Sequence, residues 1–367
     1  MPDSSAQSAV PISDYAIIVN PDDNVAVVKN ETRPGLIVSL PDDGYVTIKA
    51  KITPGHRFAT RDIPTGEFVR QYGQPIGTSL GIESGEWITH DNMTDDVPVI
   101  RDLPDHIENP APNYFPKDAI ETFMGFRRPD GRVGTRNFVL IVPTSMCASH
   151  EATQISMISE FAHYSREKYP NVDGVVAIPH NKGCGCQDGS TLDVMMRTLS
   201  NYADHPNVGG VILMDLGCEK TNLSYVERYL TNRERPIEKP LVKIGIQDVG
   251  GTQAAIDLGL KTVAEMLPEV NRCVREEFPM SELVLGVKCG SSDGFSGISA
   301  NPSLGYTSDL LVRSGGTVLL TEVPEFCGAE HVLANRAKDA ATGRRIFEMV
   351  DWYKDYASKF GGVLGQN

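Results

Sequence analysis

The chain has 367 residues with 34 basic and 48 acidic side chains, a formal net charge of −14, and it is 40% hydrophobic. This composition excludes global disorder, and the acidic balance argues against a nucleic-acid or anionic-membrane partner, since either requires a basic face. No apolar run reaches the roughly 18 residues of a membrane span, and residues 1–11 lack the features of a secretory signal. We therefore expect a cytoplasmic protein, and the sequence leaves a homo-oligomer open.

The first third of the chain predicts three segments. Residues 1–13 are rich in Ser, Ala and Pro and predict a flexible tail. Residues 14–92 contain short β-type runs that are separated by Gly and Pro turns, which predicts a small all-β domain. Residues 93–120 are acidic and proline-rich, as is typical of an extended linker.

Residues 121–367 alternate between apolar runs of strand length and amphipathic stretches of helix length. This pattern predicts an α/β domain with a Rossmann-like, mainly parallel sheet and helices on both faces. The predicted strands are 138–143, 174–179, 209–216, 241–246, 283–287 and 317–323. The predicted helices are 149–168, 188–203, 221–230, 251–275, 303–314 and 328–357.

Cysteines follow five of the six predicted strands. They are Cys147, Cys184 with Cys186, Cys218, Cys289 and Cys327, whereas Cys273 falls within a predicted helix. Because ligands of open parallel sheets bind beyond the carboxyl ends of the strands, these thiols are candidates for a common site. Cysteines also pack as small buried hydrophobes, which is the alternative for each of them. Cys184, Cys218 and Cys289 neighbour Gly and polar residues, so we expect these three to hold a metal ion or an iron–sulfur cluster. Cys147, Cys186 and Cys327 remain substitutes.

Three further features could contribute to a site at that edge. His180 ends a predicted strand and suits acid–base chemistry, or it has a structural role. Arg132 and Arg136, just before the first strand of the sheet, suit a substrate carboxylate, or they face solvent. The turn at 288–294 offers hydroxyls and Asp293 for a carboxylate, or it caps a helix. The glycines at 183–189 do not fit the dinucleotide fingerprint, and no phosphate-binding loop for ATP occurs.

Five strings in this region resemble the altronate/galactarate dehydratase family, which also contains the large subunit of sulfolactate sulfo-lyase. The strings are GFRRPDGRVGTRN at 125–137, HNKGC at 180–184, LGCE at 216–219, KCGSSDGFSGISANP at 288–302 and TEVPE at 321–325. The N-terminal β domain resembles the SAF (β-clip-like) domain of this family through NVAV at 24–27, GHRFA at 55–59, IPTGE at 63–67 and YGQPIG at 72–77.

The resemblance implies a metal-dependent hydro-lyase that removes water from a sugar acid such as galactarate or altronate to give a 2-keto-3-deoxy acid. It implies a divalent metal, with iron as a single ion or a cluster favoured over manganese. On this basis we expect Cys184, Cys218 and Cys289 to be metal ligands, and His180, Glu219 and His56 to be catalytic. The expected substrate contacts are Arg136, Asn137, Ser292, Asp293 and Asn301.

Several alternatives remain at this point. One is a carbon–sulfur lyase of the sulfolactate type, although the fusion of the β domain to the sheet in one chain favours the sugar-acid branch. Others are a non-catalytic binding fragment and a zinc-structured scaffold. Many relatives carry a histidine where this chain has Asn20, and family members continue past the C-terminus of this chain with a further segment and domain. We therefore expect a C-terminally truncated member of the family, and the activity of this chain by itself is in question.

Overall fold

The computed structural model describes residues 9–97, 100–231, 237–290 and 293–364. The chain divides into two compact units. The first unit contains residues 1–114, 284–313 and 317–367, and the second contains residues 115–283 and 314–316. No helix of the described ranges is long and apolar enough to cross a bilayer.

The N-terminal part of the first unit is an assembly of short strands. They are β1 (Val10–Pro11), β2 (Ala16–Ile17), β3 (Val25–Val28), β4 (Ile37–Ser39), β5 (Tyr45–Thr47), β6 (Arg57–Ala59), β7 (Phe68–Gln71), β8 (Gln74–Ser79) and β9 (Met93–Thr94), with one short helix, α1 (Ile12–Tyr15). They form three three-stranded sheets, ordered β1-β4-β5, β2-β3-β6 and β7-β8-β9. Of the predicted flexible tail, residues 1–8 lie outside the described residues, whereas β1 pairs with β4 and Ile12 is buried.

The second unit is built around a four-stranded parallel sheet with the order β13-β12-β14-β15. Its strands are β12 (Phe138–Pro143), β13 (Gly174–Ala177), β14 (Val208–Asp215) and β15 (Leu241–Gly245). A smaller antiparallel sheet contains β10 (Thr122–Arg127), β11 (Val133–Gly134) and β16 (Glu276–Pro279). From β12 the chain runs outward to β13 and then returns to β14 on the other side. The strand order therefore reverses between β12 and β14, which is where open α/β sheets bind ligands.

Helices cover both faces of the four-stranded sheet. They are α2 (Ser149–Ala162), α3 (Ser190–Asp204), α4 (Leu223–Thr231) and α5 (Thr252–Val270). Side chains alternate along β12, because Val139 and Ile141 pack with α2 and α5, whereas Leu140 and Val142 pack with α3 and α4. This alternation gives each face its own apolar core and fixes which strand ends meet at one edge.

The C-terminal part of the first unit contains a separate two-stranded parallel sheet. Its strands are β17 (Val284–Val287) and β18 (Thr317–Leu320), and its helices are α6 (Ala300–Arg313), α7 (Glu330–Ala334) and α8 (Ala340–Ser358). The predicted linker lies along these helices. Arg101 forms a two-pronged ion pair with Asp351 of α8, and Asn109 donates to the carbonyl oxygens of Asn335 and Ala337.

A mixed α/β protein is confirmed, but two details of the sequence prediction are wrong. The six predicted strands do not form one sheet, because β17 and β18 pair only with each other in the described structure. The helix predicted at 328–357 is two helices, since the carboxylate of Asp339 accepts a hydrogen bond from the Thr342 amide and starts α8 there.

Candidate functional site

The candidate site of the second unit lies at the carboxyl edge of the four-stranded sheet. The loops after β12, β13 and β14 carry Cys147, Cys184 with Cys186, and Cys218, respectively. Cys147, Cys184 and Cys218 are exposed, and all seven cysteines of the chain are free thiols. The sequence prediction that the strand ends deliver thiols to one edge therefore holds for these three strands.

Glu219 joins two of these loops at the point where the strand order reverses. Its carboxylate is buried and accepts hydrogen bonds from the Ser145 hydroxyl (2.9 Å), the Thr144 hydroxyl (3.3 Å) and the amides of Leu216 and Gly217 (2.9 and 2.7 Å). Burial alone would raise the pKa of Glu219, but the hydrogen bonds outweigh it and lower that pKa. A carboxylate with four donors is a weak base, so these contacts favour a positioning role.

His180 joins the loop after β13 to the end of β12. Its Nδ1 accepts a hydrogen bond from the Lys182 amide at 3.2 Å, which places the ring proton on Nε2, where it donates to the Pro143 carbonyl oxygen at 3.0 Å. Both ring nitrogens are therefore engaged within the protein. The ring can take up another proton only by giving up the bond to the Lys182 amide.

Lys220 is a site residue that the sequence analysis missed. Its ammonium donates to the Cys186 carbonyl oxygen and to the Asp188 carboxylate, and it faces the loop that holds Cys184. The hydrogen bond to Asp188 raises the pKa of Lys220. In the sequence, its position directly after Cys218 and Glu219 could have identified it. Lys220 thus links the loop after β14 to the loop after β13 and supplies a positive charge beside the thiols.

Arg136 and Asn137 lie at the opposite edge, because they precede β12. Asn137 is fully buried. Its side-chain amide donates to the carbonyl oxygens of Asn171 and Val270, and its backbone amide donates to the Asp173 carboxylate. Arg136 is largely exposed and forms an ion pair with Asp173 at 3.4 Å. The structure does not bring these two predicted substrate contacts together with Cys184 and Cys218. The physical reason is that residues just before a strand lie at its amino end, whereas the thiols follow the carboxyl ends of the strands.

The first unit holds the remaining predicted site residues. After β17, the Cys289 amide donates to the Glu322 carboxylate at 2.6 Å, and its thiol bonds to Glu325. The negative charge of Glu325 raises the pKa of Cys289. Cys289 therefore stays a thiol at neutral pH unless a bound cation offsets the negative charge of Glu325.

Asp293 and His56 lie at neighbouring points of the first unit. The Asp293 carboxylate accepts hydrogen bonds from the amides of Phe295 and Ser296, as a turn cap does. Gly294 packs so closely on the residue before His56 that an added Cβ would collide with the Gly55 carbonyl oxygen. The exposed His56 ring stacks edge-on against Trp87 at 5.3 Å.

Two more predicted substrate contacts belong to this part of the chain. Asn301 is exposed at the start of α6, and Ser292 lies outside the described residues. The structure therefore brings the Asp293 turn close to the His56 loop, and it leaves the roles of all four residues as predictions.

A cavity of about 380 Å³ in the first unit adds residues that the sequence analysis did not single out. Tyr72, Gln74, Glu325, Cys327 and His331 line it. The His331 Nε2 bonds to Gln74 Oε1 at 3.1 Å, and its Nδ1 is buried without a hydrogen-bond partner. Glu325 also contacts Cys289, so it links the lining of the cavity to the thiol that follows β17.

Among the described residues, no group of three or more His, Cys, Asp and Glu side chains is placed to hold a metal ion. Of the predicted ligands, Cys184 and Cys218 belong to the second unit and Cys289 to the first. The three-cysteine ligand set stays a prediction.

Sequence models of one family match the chain in three consecutive segments. Residues 14–96 match the altronate/galactarate dehydratase SAF domain, residues 125–271 the second domain of D-galactarate dehydratase/altronate hydrolase, and residues 280–367 the C-terminal domain of D-galactarate/altronate dehydratase. The chain belongs to the altronate/galactarate dehydratase family.

Individual members of this family are similar to most of the chain. The altronate dehydratase of Bacillus subtilis is 35% identical over 88% of this chain and 63% of its own length. The galactarate dehydratase (L-threo-forming) of Escherichia coli is 36% identical over 93% of this chain and 65% of its own length. The (2R)-sulfolactate sulfo-lyase subunit beta of Chromohalobacter salexigens is 31% identical over 63% of this chain and 54% of its own length. The chain thus spans less than two thirds of each of these relatives.

Proposed function

We propose that this chain is part of a hydro-lyase that removes water from a sugar acid, an aldonate or aldarate such as altronate or galactarate. The observation that carries the proposal is the consecutive match of three domains of one dehydratase family, joined in one chain. In the reaction, the proton alpha to the carboxylate is removed and the beta hydroxyl leaves as water. The resulting enol then becomes a 2-keto-3-deoxy acid.

The carboxyl edge of the sheet offers the groups for binding such a substrate. The substrate is an anion, whereas the protein carries a net charge of −14, so a local positive charge is required. Lys220 supplies one, and two of its three N–H groups are used by Cys186 and Asp188. We assign the third N–H to the substrate carboxylate. Glu219 supports this assignment by fixing the loop that holds Lys220.

The proton-transfer residue within the second unit is proposed to be His180 rather than Glu219. Glu219 holds four hydrogen bonds that stabilise its charged form, which makes protonation unfavourable. His180 needs to release only one bond, from the Lys182 amide, before Nδ1 accepts a proton. Metal dependence stays a prediction, because the described residues do not form a ligand group.

The test is turnover by the full chain, purified without oxygen, on altronate, galactarate and other aldonates and aldarates. The keto acid is measured as its semicarbazone, and metal content is measured by elemental analysis of the same sample. Sulfolactate is included, with release of sulfite as the readout, because one relative is a sulfo-lyase subunit. Keto-acid formation from a sugar acid supports the proposal. Sulfite release alone, or tight binding without any turnover, contradicts it in favour of the lyase or the binding fragment.

Variants of His180 and Glu219 distinguish the roles of the two residues. His180→Asn retains one hydrogen bond of the ring and should lower kcat at least tenfold and remove the acidic limb of the pH profile, because a base accepts the proton only in its deprotonated form. Glu219→Gln should lower stability and kcat together without moving the pH profile. The control is Glu265→Gln, which changes an exposed carboxylate on α5. An unchanged pH profile in His180→Asn would assign His180 a structural role.

A further inference from the structure

A second cavity lies at the amino edge of the four-stranded sheet, opposite the thiol loops. It has a volume of about 450 Å³. The turn between β10 and β11, the end of α3, the residues before β15 and the end of α5 surround it. Arg128, Arg132, Lys239 and Cys273 are among its lining residues. Both arginines belong to the string at 125–137, which the proposed function does not use.

Arg128 is a buried cation that has no carboxylate partner among the described residues. Its side chain is 7% exposed, and its guanidinium donates to the carbonyl oxygens of Pro206 and Arg136 and to Asn137 Oδ1. These partners are neutral, and none of the described carboxylates forms an ion pair with it. Toward the cavity it contacts the Cys273 sulfur at 3.9 Å. Arg132 differs, because it pairs with Asp130 and Asp204.

Lys239 is a second cation beside the cavity, and it is half-buried. Its ammonium donates to the His205 carbonyl oxygen at 2.9 Å, which leaves two N–H groups for another partner. It likewise forms no ion pair with a carboxylate of the described ranges. Burial lowers the pKa of Lys239 to about 8, and the charges of Arg128 and Arg132 act in the same direction, against Asp204 and Asp130.

Two further groups beside this cavity have lowered pKa values, with burial as the largest cause in both. Burial, Lys239 and Arg132 lower the pKa of His205, and burial lowers that of Arg128. Glu238, Glu269 and Glu276 also line the cavity, but they are exposed, and water and salt screen their charges. Asp130 and Asp204 line it as well, and both pair with Arg132. A bound anion would offset the cost of burying Arg128 and Lys239 together.

We propose that this cavity binds a small oxyanion through the ammonium of Lys239 and the guanidinium of Arg128. The ligand class is a compact phosphate or carboxylate group, because both present oxygen acceptors to cationic donors that line the same cavity. The site is separate from the proposed dehydratase site, and its test does not depend on turnover.

The experiment measures the accessibility of individual amines in the full chain. Trace acetylation with acetic anhydride is followed across pH by mass spectrometry, without ligand and with inorganic phosphate or galactarate. A bound oxyanion stabilises the protonated amine, so labelling of Lys239 at about pH 8 should fall at least fivefold. The matched control is Lys261 on α5, an exposed amine whose labelling should not change.

The two ligands distinguish the source of the oxyanion. Protection by phosphate alone assigns the site to a phosphate group, and protection by galactarate alone assigns it to a carboxylate. Unchanged labelling of Lys239 with both overturns the proposal. Lys239→Gln should abolish the rise in thermal stability that the protecting anion gives, whereas Lys261→Gln should retain it. Because the labelling uses the wild-type chain, the proposal stays testable even if Lys239→Gln does not fold.

Discussion

Ser145 Oγ donates a hydrogen bond to Glu219 Oε1 over 2.9 Å, and this bond joins the loop after β12 to the loop after β14. The two strands are neighbours in the sheet, so the bond spans the point where the strand order reverses. The buried carboxylate receives three other hydrogen bonds. One side chain therefore organises the backbone on both sides of the candidate ligand crevice.

Replacing Glu219 by Gln should destabilise the second unit by about 3 kcal/mol, because an NH₂ group would face donors that the carboxylate now accepts. The effect should depend on pH. The pKa of Glu219 is lower in the folded chain than its ordinary value of 4.5, so its contribution is present above that pH and is lost as the pH falls through the folded value.

Urea unfolding of Glu219→Gln at neutral and acidic pH measures this effect. The difference from wild type should shrink as the pH falls below about 4. Glu265→Gln serves as the exposed control and should stay within about 0.5 kcal/mol of wild type. A constant difference at all pH values would contradict the role of the charge.

Neutralising Glu325 should make Cys289 more reactive. The negative charge of Glu325 raises the pKa of the thiol, so Glu325→Gln should lower that pKa and enlarge the thiolate fraction near pH 8. We expect alkylation of Cys289 by iodoacetamide to accelerate roughly threefold to tenfold. The exposed Cys184 in the same sample is the internal control, since its rate should not change. Equal acceleration at both cysteines would indicate general loosening instead.

Gly294 should not tolerate a side chain. A Cβ at this position would collide with the Gly55 backbone carbonyl, so Gly294→Ala should push the Asp293 turn away from the loop of His56 and cost about 1–3 kcal/mol. Hydrogen exchange of the peptide that contains residues 293–297 should rise. Gly290→Ala is the matched control, because an added Cβ there meets no atom within 4 Å. Equal behaviour of the two variants would show that the contact is dispensable.

Lys239 should give the protein a distinctive alkaline stability profile. Its pKa is about 8 in the folded chain and 10.5 ordinarily, so between these values the unfolded chain binds the proton and the folded chain does not. Stability should therefore rise with pH across this window, by about 3 kcal/mol in total. Below about pH 8 the folded protein carries the full cost of the buried ammonium.

The check is the free energy of unfolding of wild type and Lys239→Met between about pH 7.5 and 10. The difference between them isolates Lys239 from other groups that titrate there. Lys239→Met should be as stable as wild type or more so at neutral pH and should lack the rise. Lys261→Met, on the surface, should follow the wild-type curve. Parallel curves for Lys239→Met and wild type would refute the lowered pKa.

The sequence was sufficient to predict the four strands of the parallel sheet and the loops that end them. Apolar runs such as 138–143 are long and continuous because the sheet is buried on both faces. The sequence was not sufficient to assign β17 and β18 to a sheet, because an apolar run does not show which other strands it pairs with. Val284, Leu319 and Leu320 are apolar yet largely exposed, so their residue types suggested a burial that the structure does not have.

The candidate site was predictable only in part for a related reason. Cysteines after strands reach the carboxyl edge by topology alone, so Cys184 and Cys218 could be placed from spacing. Asn137 has the same polar chemistry as a substrate-binding residue, but its bonds to Asn171 and Val270 are purely internal. Lys220 shows the converse, since its position beside the thiols depends on a loop conformation that residue spacing does not reveal.

The interleaved make-up of the first unit has a consequence for biosynthesis. Residues 1–114 share this unit with residues 284–313 and 317–367, and residues 115–283, which make up nearly all of the second unit, are encoded between them. A ribosome therefore finishes the N-terminal sheets well before their C-terminal companions emerge. The second unit can mature during translation, whereas the first must wait until its final helices leave the exit tunnel, with surfaces such as that around Gly55 uncovered in the interval.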